Sequence, residues 1–491
     1  MIKMNALRPT LLALALTAAF PALAQTNAEV LNELRALRDR VADLEKKLQA
    51  AEAKAPAADA KAPAATAQWG MTPEQAKELS RVTVKAESTE DNLEAQGFKG
   101  LTISGYMDPS YIYNHRQNRA GFQFLNKQYD GYFYDTSYIG SASIDFTKET
   151  DSGTRFKLTL SPNRSAGAVA DLESRSIVQE ASISMPLTDL QTRLIVGQLP
   201  DWSGYEYQQP TLNPFITHNL LFDFTLPSTY TGAGIDYTQG KWWVRAMLAN
   251  VNENIAKQGE RAPVLVYRVD YSKGEFDGFG FAGLHGKTTN YNLCANDACD
   301  TFQKTTTNMI EVDGYFIRGD WTVQGQLSYG QQKQAAIMPD ADGNYRDAKW
   351  AGASGLVGYN LTPRLQLLAR ADYIKNDQNG GGLFGFTGYH PSFGIDGVSD
   401  GLGGTGYGDY RNGIGPNPTL GCDVDPAASG CDKGANRYAL SFGLKYAFNL
   451  NTSFKFEYRH DGADVPVFYD VGSGNYKKSN DLFGASVVLS F

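Results

Sequence analysis

The sequence predicts an all-β transmembrane fold, a 16-stranded antiparallel up-and-down barrel preceded by a short parallel coiled-coil helix. Three observations predict it. After Gly100 the chain breaks into segments of about ten residues that alternate apolar and polar positions, as strands do when their two faces meet different media. The connections between these segments alternate between short and long, the pattern of tight turns on one side of a membrane and loops on the other. Before Gly100 the periodicity changes from two to three-and-four, the spacing of a heptad seam.

The chain opens with Lys3 and Arg8 ahead of an apolar run from Leu11 to Phe20, and Ala22-Leu23-Ala24 offers a small-x-small cleavage site. Residues 1–24 are therefore expected to be a secretory signal peptide, the run being too short to span a bilayer. An exported chain that is 42% hydrophobic and 12% aromatic, with no apolar run of about twenty residues, has to satisfy that surface through strands. A formal charge of -8, falling to -10 once the two cations of the signal leave, gives no support to a nucleic-acid partner.

Residues 25–53 carry Val30, Leu34, Leu37, Val41, Leu44, Leu48 and Ala51 at alternating spacings of four and three. The flanking pairs Glu33 with Arg38, Arg40 with Glu45 and Lys47 with Glu52 are of opposite sign for parallel helices in register, which predicts a parallel homo-oligomer. Arg40-Val41-Ala42-Asp43-Leu44-Glu45 is similar to the R-h-x-x-h-E pattern of short trimeric coiled coils. That likeness implies a homotrimer joined through Leu34, Leu37, Arg40, Val41, Leu44, Glu45 and Leu48. Residues 54–99 read as an Ala-rich linker broken by Pro56 and Pro63, followed by a short helix that Thr72-Pro73-Glu74-Gln75 would start and that ends near Leu79.

Residues 100–491 form the predicted barrel. Its candidate strands are Leu101 to Asn114, Tyr138 to Lys148, Thr154 to Pro162, Ile177 to Leu187, Thr192 to Leu199, Thr231 to Thr238, Trp242 to Asn250 and Val264 to Tyr271. They continue with Phe279 to Lys287, Asn308 to Ile317, Trp321 to Gln331, Lys349 to Leu361, Arg364 to Lys375, Arg437 to Phe448, Thr452 to Asp461 and Asp481 to Phe491. Short connections such as Gln239-Gly240-Lys241 and Thr362-Pro363 alternate with long ones such as Pro200 to Tyr230 and Asn376 to Asn436. Sixteen strands suffice for an aqueous channel.

Alternation assigns faces. Phe454, Phe456 and Tyr458 point to lipid, so Lys455, Glu457 and Arg459 point to the lumen. The same rule places Arg155, Lys157, Arg193, Arg245, Arg268, Asp270, Glu311, Asp313, Arg364, Gln366, Arg370, Asp372 and Lys445 inside, because Arg or Lys on the lipid face costs about 2 to 4 kcal/mol at the midplane. A polar, water-filled interior is the expectation.

The four cysteines fall in two close pairs, Cys294 with Cys299 and Cys422 with Cys431, and in an oxidising compartment they are expected to form two small-loop disulfides. C-x4-C and C-x8-C without neighbouring histidines is poor zinc spacing. None of His115, His218, His285, His390 and His460 sits in a catalytic motif, and Asp423, Asp425 and Asp432 read as solvated loop residues. No enzyme activity, metal or cofactor is expected.

Phe483, Ala485, Val487, Leu489 and Phe491 make the last strand resemble the closing strand of Gram-negative outer-membrane β-barrels, where it serves as an assembly signal. The stretch from Gly197-Gln198 through Glu206, Asn213-Pro214-Phe215 and Phe222-Asp223-Phe224 to Thr231-Gly232 is similar to a family of outer-membrane porins with a G-Q strand end, a glutamate, an aromatic loop and a T-G strand start. The order of elements matches, and the residues match in part. The resemblance implies a third loop that folds inward and narrows the pore, with Asp201, Glu206, His218 and Asp223 facing the arginines Arg155, Arg193, Arg245, Arg268, Arg370 and Arg459. Charged constrictions set selectivity in pores.

The function expected is passive diffusion of small hydrophilic solutes and ions across the outer membrane. A sugar-selective porin is one alternative. A structural or adhesive barrel that tethers the envelope through a periplasmic or peptidoglycan contact of the coil is another.

Overall fold

The computed structural model describes residues 97–125, 139–161, 177–252, 263–294, 302–336, 344–377, 417–420, 428–431 and 433–491, with 78, 80–85, 88, 340 and 342. The chain divides into two units, Met1–Ser88 and Thr89–Phe491. In the first, the described residues 80–85 are helical, beyond the expected end of the short helix near Leu79, and Arg81 pairs with Glu78 at 2.8 Å. The coiled coil expected over 25–53, with Leu34, Leu37, Arg40, Val41, Leu44, Glu45 and Leu48, lies outside the described residues.

Thr89–Phe491 contains a closed antiparallel barrel of sixteen wall strands. β1 runs in two parts, Leu101–Met107 and Ser110–Asn114, because Pro109 interrupts it. β2 is likewise in two parts, Arg119–Gln123 and Ala142–Glu149. Then follow β3 Arg155–Leu160, β4 Val178–Pro186, β5 Thr192–Pro200, β6 Thr229–Gln239, β7 Trp242–Val251 and β8 Val264–Ser272. Next come β9 Asp277–Cys294, β10 Phe302–Arg318, β11 Trp321–Gln332 and β12 Ala348–Thr362. The wall ends with β13 Leu365–Asp377, β14 Arg437–Ala447, β15 Thr452–Ala463 and β16 Ser479–Ser490. Each strand pairs with its sequence neighbour, and β16 closes the wall onto β1 through Tyr106 with Ser490 and Ser110 with Ser486. Closure removes the unpaired edges that an open sheet would expose.

The second strand departs from the expected span Tyr138 to Lys148. Arg119–Gln123 turns straight back onto Ser110–Asn114, and the wall pairing resumes at Ala142, opposite Met107. Between these two parts the Leu125 N–H donates to the Gly140 carbonyl at 2.7 Å, and Ile139 is buried against Ile112, Leu482 and Ile216. Arg119–Gln123 lacks the long alternating run that makes a strand legible.

Register carries one face rule around the whole wall. Ile103, Phe156, Val196, Leu248, Phe281, Val312, Leu327, Val357, Phe442, Phe456 and Phe483 are exposed on the outer face. At the tight-turn end, Trp242 packs on Tyr271 at 4.8 Å and Trp321 on Tyr359 at 4.7 Å, the aromatic girdle of a membrane interface.

The inner face differs from the expected water-lined surface. Ile195, Leu199, Met247, Val264, Val266, Leu284, Met309, Trp350 and Ile374 point inward and are buried in one cluster with Leu220, Phe224 and Leu226 of the connection between β5 and β6. The physical reason is that apolar residues of this connection pack on these inward positions and bury them together.

Candidate functional site

The long connection between β5 and β6, residues 201–228, packs and hydrogen-bonds against inward-pointing side chains of the wall. Its root is set by Asp201, whose carboxylate accepts from the Ser203 N–H and hydroxyl, both at 3.0 Å, and from the Tyr230 hydroxyl. Arg268 of β8 donates to the Trp202 carbonyl at 2.9 Å. Gly204 adopts φ +77, and a Cβ there would stand 2.8 Å from the Gln326 side chain, so both backbone and space demand glycine.

The returning limb is a single helical turn and a half, α1, Leu220–Thr225. Asn219 caps it by accepting from the Phe222 N–H at 2.9 Å, and Leu220, Leu221 and Phe224 are buried against the wall. Each such side chain contributes about 1.5–3 kcal/mol relative to exposure.

Two buried carboxylates fasten the loop. Glu206 accepts from Arg370 Nη1 of β13 at 2.8 Å and from the Asn219 N–H at 2.7 Å, so one carboxylate joins both limbs of the loop to the wall. Arg370 also donates to the Thr217 and His218 carbonyls at 2.8 and 2.9 Å and pairs with Asp372 at 3.2 Å. At the tip, Glu457 of β15 accepts from the N–H groups of Ile216 and Thr217 at 2.9 and 2.8 Å and from the Thr217 hydroxyl at 2.6 Å.

The wall partners of Glu457 are Gly443 and Gly484. The absent side chains let the tip approach: a Cβ at Gly443 would meet Phe215 at 2.7 Å, and one at Gly484 would meet Ile216 at 2.9 Å. Around them, Lys455 Nζ donates to the Pro210 and Phe215 carbonyls at 2.6 and 3.2 Å, and Arg459 donates to the Thr217 hydroxyl at 2.9 Å and the His218 carbonyl while pairing with Asp461 at 3.1 Å.

Above α1, Arg437 stacks between Phe224 at 5.2 Å and Phe468 at 4.7 Å. Phe468 belongs to a hairpin, Phe468–Asp470 with Asn475–Lys477, in the last long connection. That hairpin is tied to the first turn by Asp470 and Arg116 at 3.3 Å.

The sequence-derived residues thus fall into three groups. Glu206, Arg370, Arg459 and Arg268 meet at the loop, and Arg245 stacks between Trp202 at 4.9 Å and Trp243 at 4.4 Å while pairing with Asp236 at 3.0 Å. The Asp201 carboxylate accepts from Ser203 and Tyr230, and the His218 ring lies 3.1 Å from Asn213 Nδ2 and 3.0 Å from the Tyr207 carbonyl; Asp223 sits in the first turn of α1. Arg155 pairs with Glu149 at 3.1 Å, and Arg193 donates to Ser184 Oγ and to the Gly153 carbonyl at 2.6 and 2.7 Å, both at the tight-turn end and away from the loop.

Thr217, Asp461, Arg437 and Tyr205, whose hydroxyl lies 2.6 Å from Ser354 Oγ of β12, belong to the fastening and had no signal of their own. The alternation of sign along Lys455, Glu457, Arg459 and Asp461, with Glu457 facing a glycine on each side, is the pattern that would have found it. Cys431 is disulfide-bonded, whereas Cys299 and Cys422 and the side chain of Cys294 lie outside the described residues.

The barrel is similar to OmpT, an outer membrane protein of Vibrio cholerae, at 11% identity and a TM-score of 0.47 over 80% of this chain and 97% of that one. It is also similar to an anion-selective porin from Comamonas acidovorans, at 8% identity and a TM-score of 0.47 over 80% and 99%. A third likeness is to the outer membrane channel DcaP of Acinetobacter baumannii, at 11% identity and a TM-score of 0.45 over 80% and 97%. No curated protein matches the chain. A family model described as a protein of unknown function, DUF3138, matches residues 7–491, and the chain belongs to that family.

Proposed function

We propose that this chain is an outer-membrane porin that passes small hydrophilic solutes by diffusion, with residues 201–228 as its constriction. The observation that carries the reading is the fastening of that loop to the inner wall by Glu206 with Arg370 and by Glu457 with the Ile216 and Thr217 N–H groups. A loop held by buried ion pairs and backbone hydrogen bonds narrows a pore without opening and closing, so solutes are sorted by size and by the charges that flank the gap. The protein acts without catalysis or a cofactor.

The heptad seam supports a homotrimer with the coil in the periplasm. On the outer face, an apolar depression of about 640 Å³ between Tyr111, Leu367, Phe442, Phe456 and Phe483 is a surface against which a second barrel or lipid chains would pack.

Liposome swelling tests the reading. Vesicles carrying the folded protein are predicted to swell in small sugars and amino acids at rates that fall steeply with solute size. Equal exclusion of all solutes by a protein that is demonstrably folded contradicts a pore and favours a tethering barrel.

A further inference from the structure

The root of the loop lies against a group of inward-pointing polar side chains on β8, β10 and β11 whose charges do not balance. Arg268 is the guanidinium among them. It pairs with Asp313 at 2.7 Å and with Asp270 at 2.8 Å, and its remaining donor capacity goes to the Trp202 carbonyl. A third carboxylate, Glu311, stands 3.9 Å from Arg268 Nη1 and is 0% exposed. Neither of its oxygens closes a hydrogen bond of normal geometry, although the Gly204 N–H and Asp313 are beside it.

The neighbouring wall positions are orphaned too. Ser328 is the register partner of Glu311, and Gln326 that of Asp313. Ser328 Oγ and both polar atoms of the Gln326 amide are buried without a partner. On the other side, Glu311 and Asp313 face Ala282 and Gly280, which bring neither charge nor hydrogen-bonding side chains. Buried polar groups left without partners mark the place of an ordered water or ion, and an uncompensated buried carboxylate is unfavourable unless a proton or a cation joins it.

We propose that Glu311, Gln326 Oε1 and Ser328 Oγ hold a hard, oxygen-preferring cation at the root of the loop, with water completing its coordination. Carboxylate, amide carbonyl and hydroxyl oxygens are the donor types such ions take. The set contains one carboxylate, which Arg268 reaches only at 3.9 Å, and no all-acidic metal cluster exists among the described residues. The cation balances the charge that Arg268 leaves over and fixes Gly204, which lies against Gln326. The inference rests on the loop's position inside the barrel, and its test does not depend on whether the barrel conducts.

The test is terbium luminescence on the full, folded chain in detergent after chelator treatment. Tyr230 and Trp202 lie at the loop root to sensitise the ion. A saturable signal is expected that Glu311→Gln removes, with the folded state checked by heat-modifiable gel mobility. Gln326→Leu, which keeps the charge and removes one neutral donor, is expected to weaken binding at least about tenfold. Displacement by micromolar calcium assigns a divalent ion, and displacement only by molar sodium or potassium assigns a monovalent one. A signal unchanged in both folded variants overturns the site and leaves Glu311 protonated or solvated by internal water.

Discussion

At the scale of the residue, Arg370 is the hinge of the account. It is buried, and its guanidinium serves Glu206, Asp372 and two loop carbonyls at once. Removing one member of a buried ion pair costs about 3–5 kcal/mol because the partners stay buried and charged. Arg370→Met is therefore expected to destabilise the barrel by about that amount in urea unfolding from detergent or lipid. In the same variant, protease cleavage is expected within 201–228. Arg155→Met, an arginine paired at the exposed rim, is expected to change stability by less than about 1 kcal/mol.

Strand parity placed Arg370, Glu457, Arg459 and Lys455 on the inner face, since a charge facing lipid is costly. What parity could not reveal is that they bind a loop rather than water. Glu457 and Ile216 are 241 residues apart, and no local pattern links them. Asp201 accepts from Ser203 and Tyr230, hydrogen bonds set by where the loop root turns and not by any local pattern.

At the scale of the element, the loop tip depends on the wall being thin at two glycines. Gly484→Val puts a branched side chain where Ile216 now lies, since even a Cβ would be 2.9 Å from it. The tip is expected to shift away from the wall, and single-channel recordings should show an altered conductance with more current noise; unchanged current in a folded Gly484→Val variant would mean that the tip does not border the path. The outer face is tested by Leu327→Arg, in the middle of β11 and exposed to lipid. It is expected to cost about 2 to 4 kcal/mol in bilayers.

The strands were legible because period two, turn residues and loop lengths agree over long runs. The exceptions follow from the same logic. Arg119–Gln123 is too short to show a period, and the apolar inward positions Met247, Val266 and Met309 break the polar-inside rule because they are buried in one cluster with apolar residues of the β5–β6 connection.

At the scale of the whole molecule, the described barrel closes on itself through β1 and β16, so its wall needs no neighbour to satisfy backbone groups. Deleting residues 25–68 is accordingly expected to leave a folded, heat-modifiable barrel with weakened trimer assembly, measured by cross-linking before denaturation. Loss of the barrel itself would place the domain boundary elsewhere.

A water-filled path beside a fastened loop would carry ions, and single-channel current from the folded oligomer in a planar bilayer would show it. Steady current that closes in three equal steps, one for each barrel of a trimer, is the expected result. Silence from protein shown to be folded would contradict it and leave a closed barrel whose loop plugs the lumen.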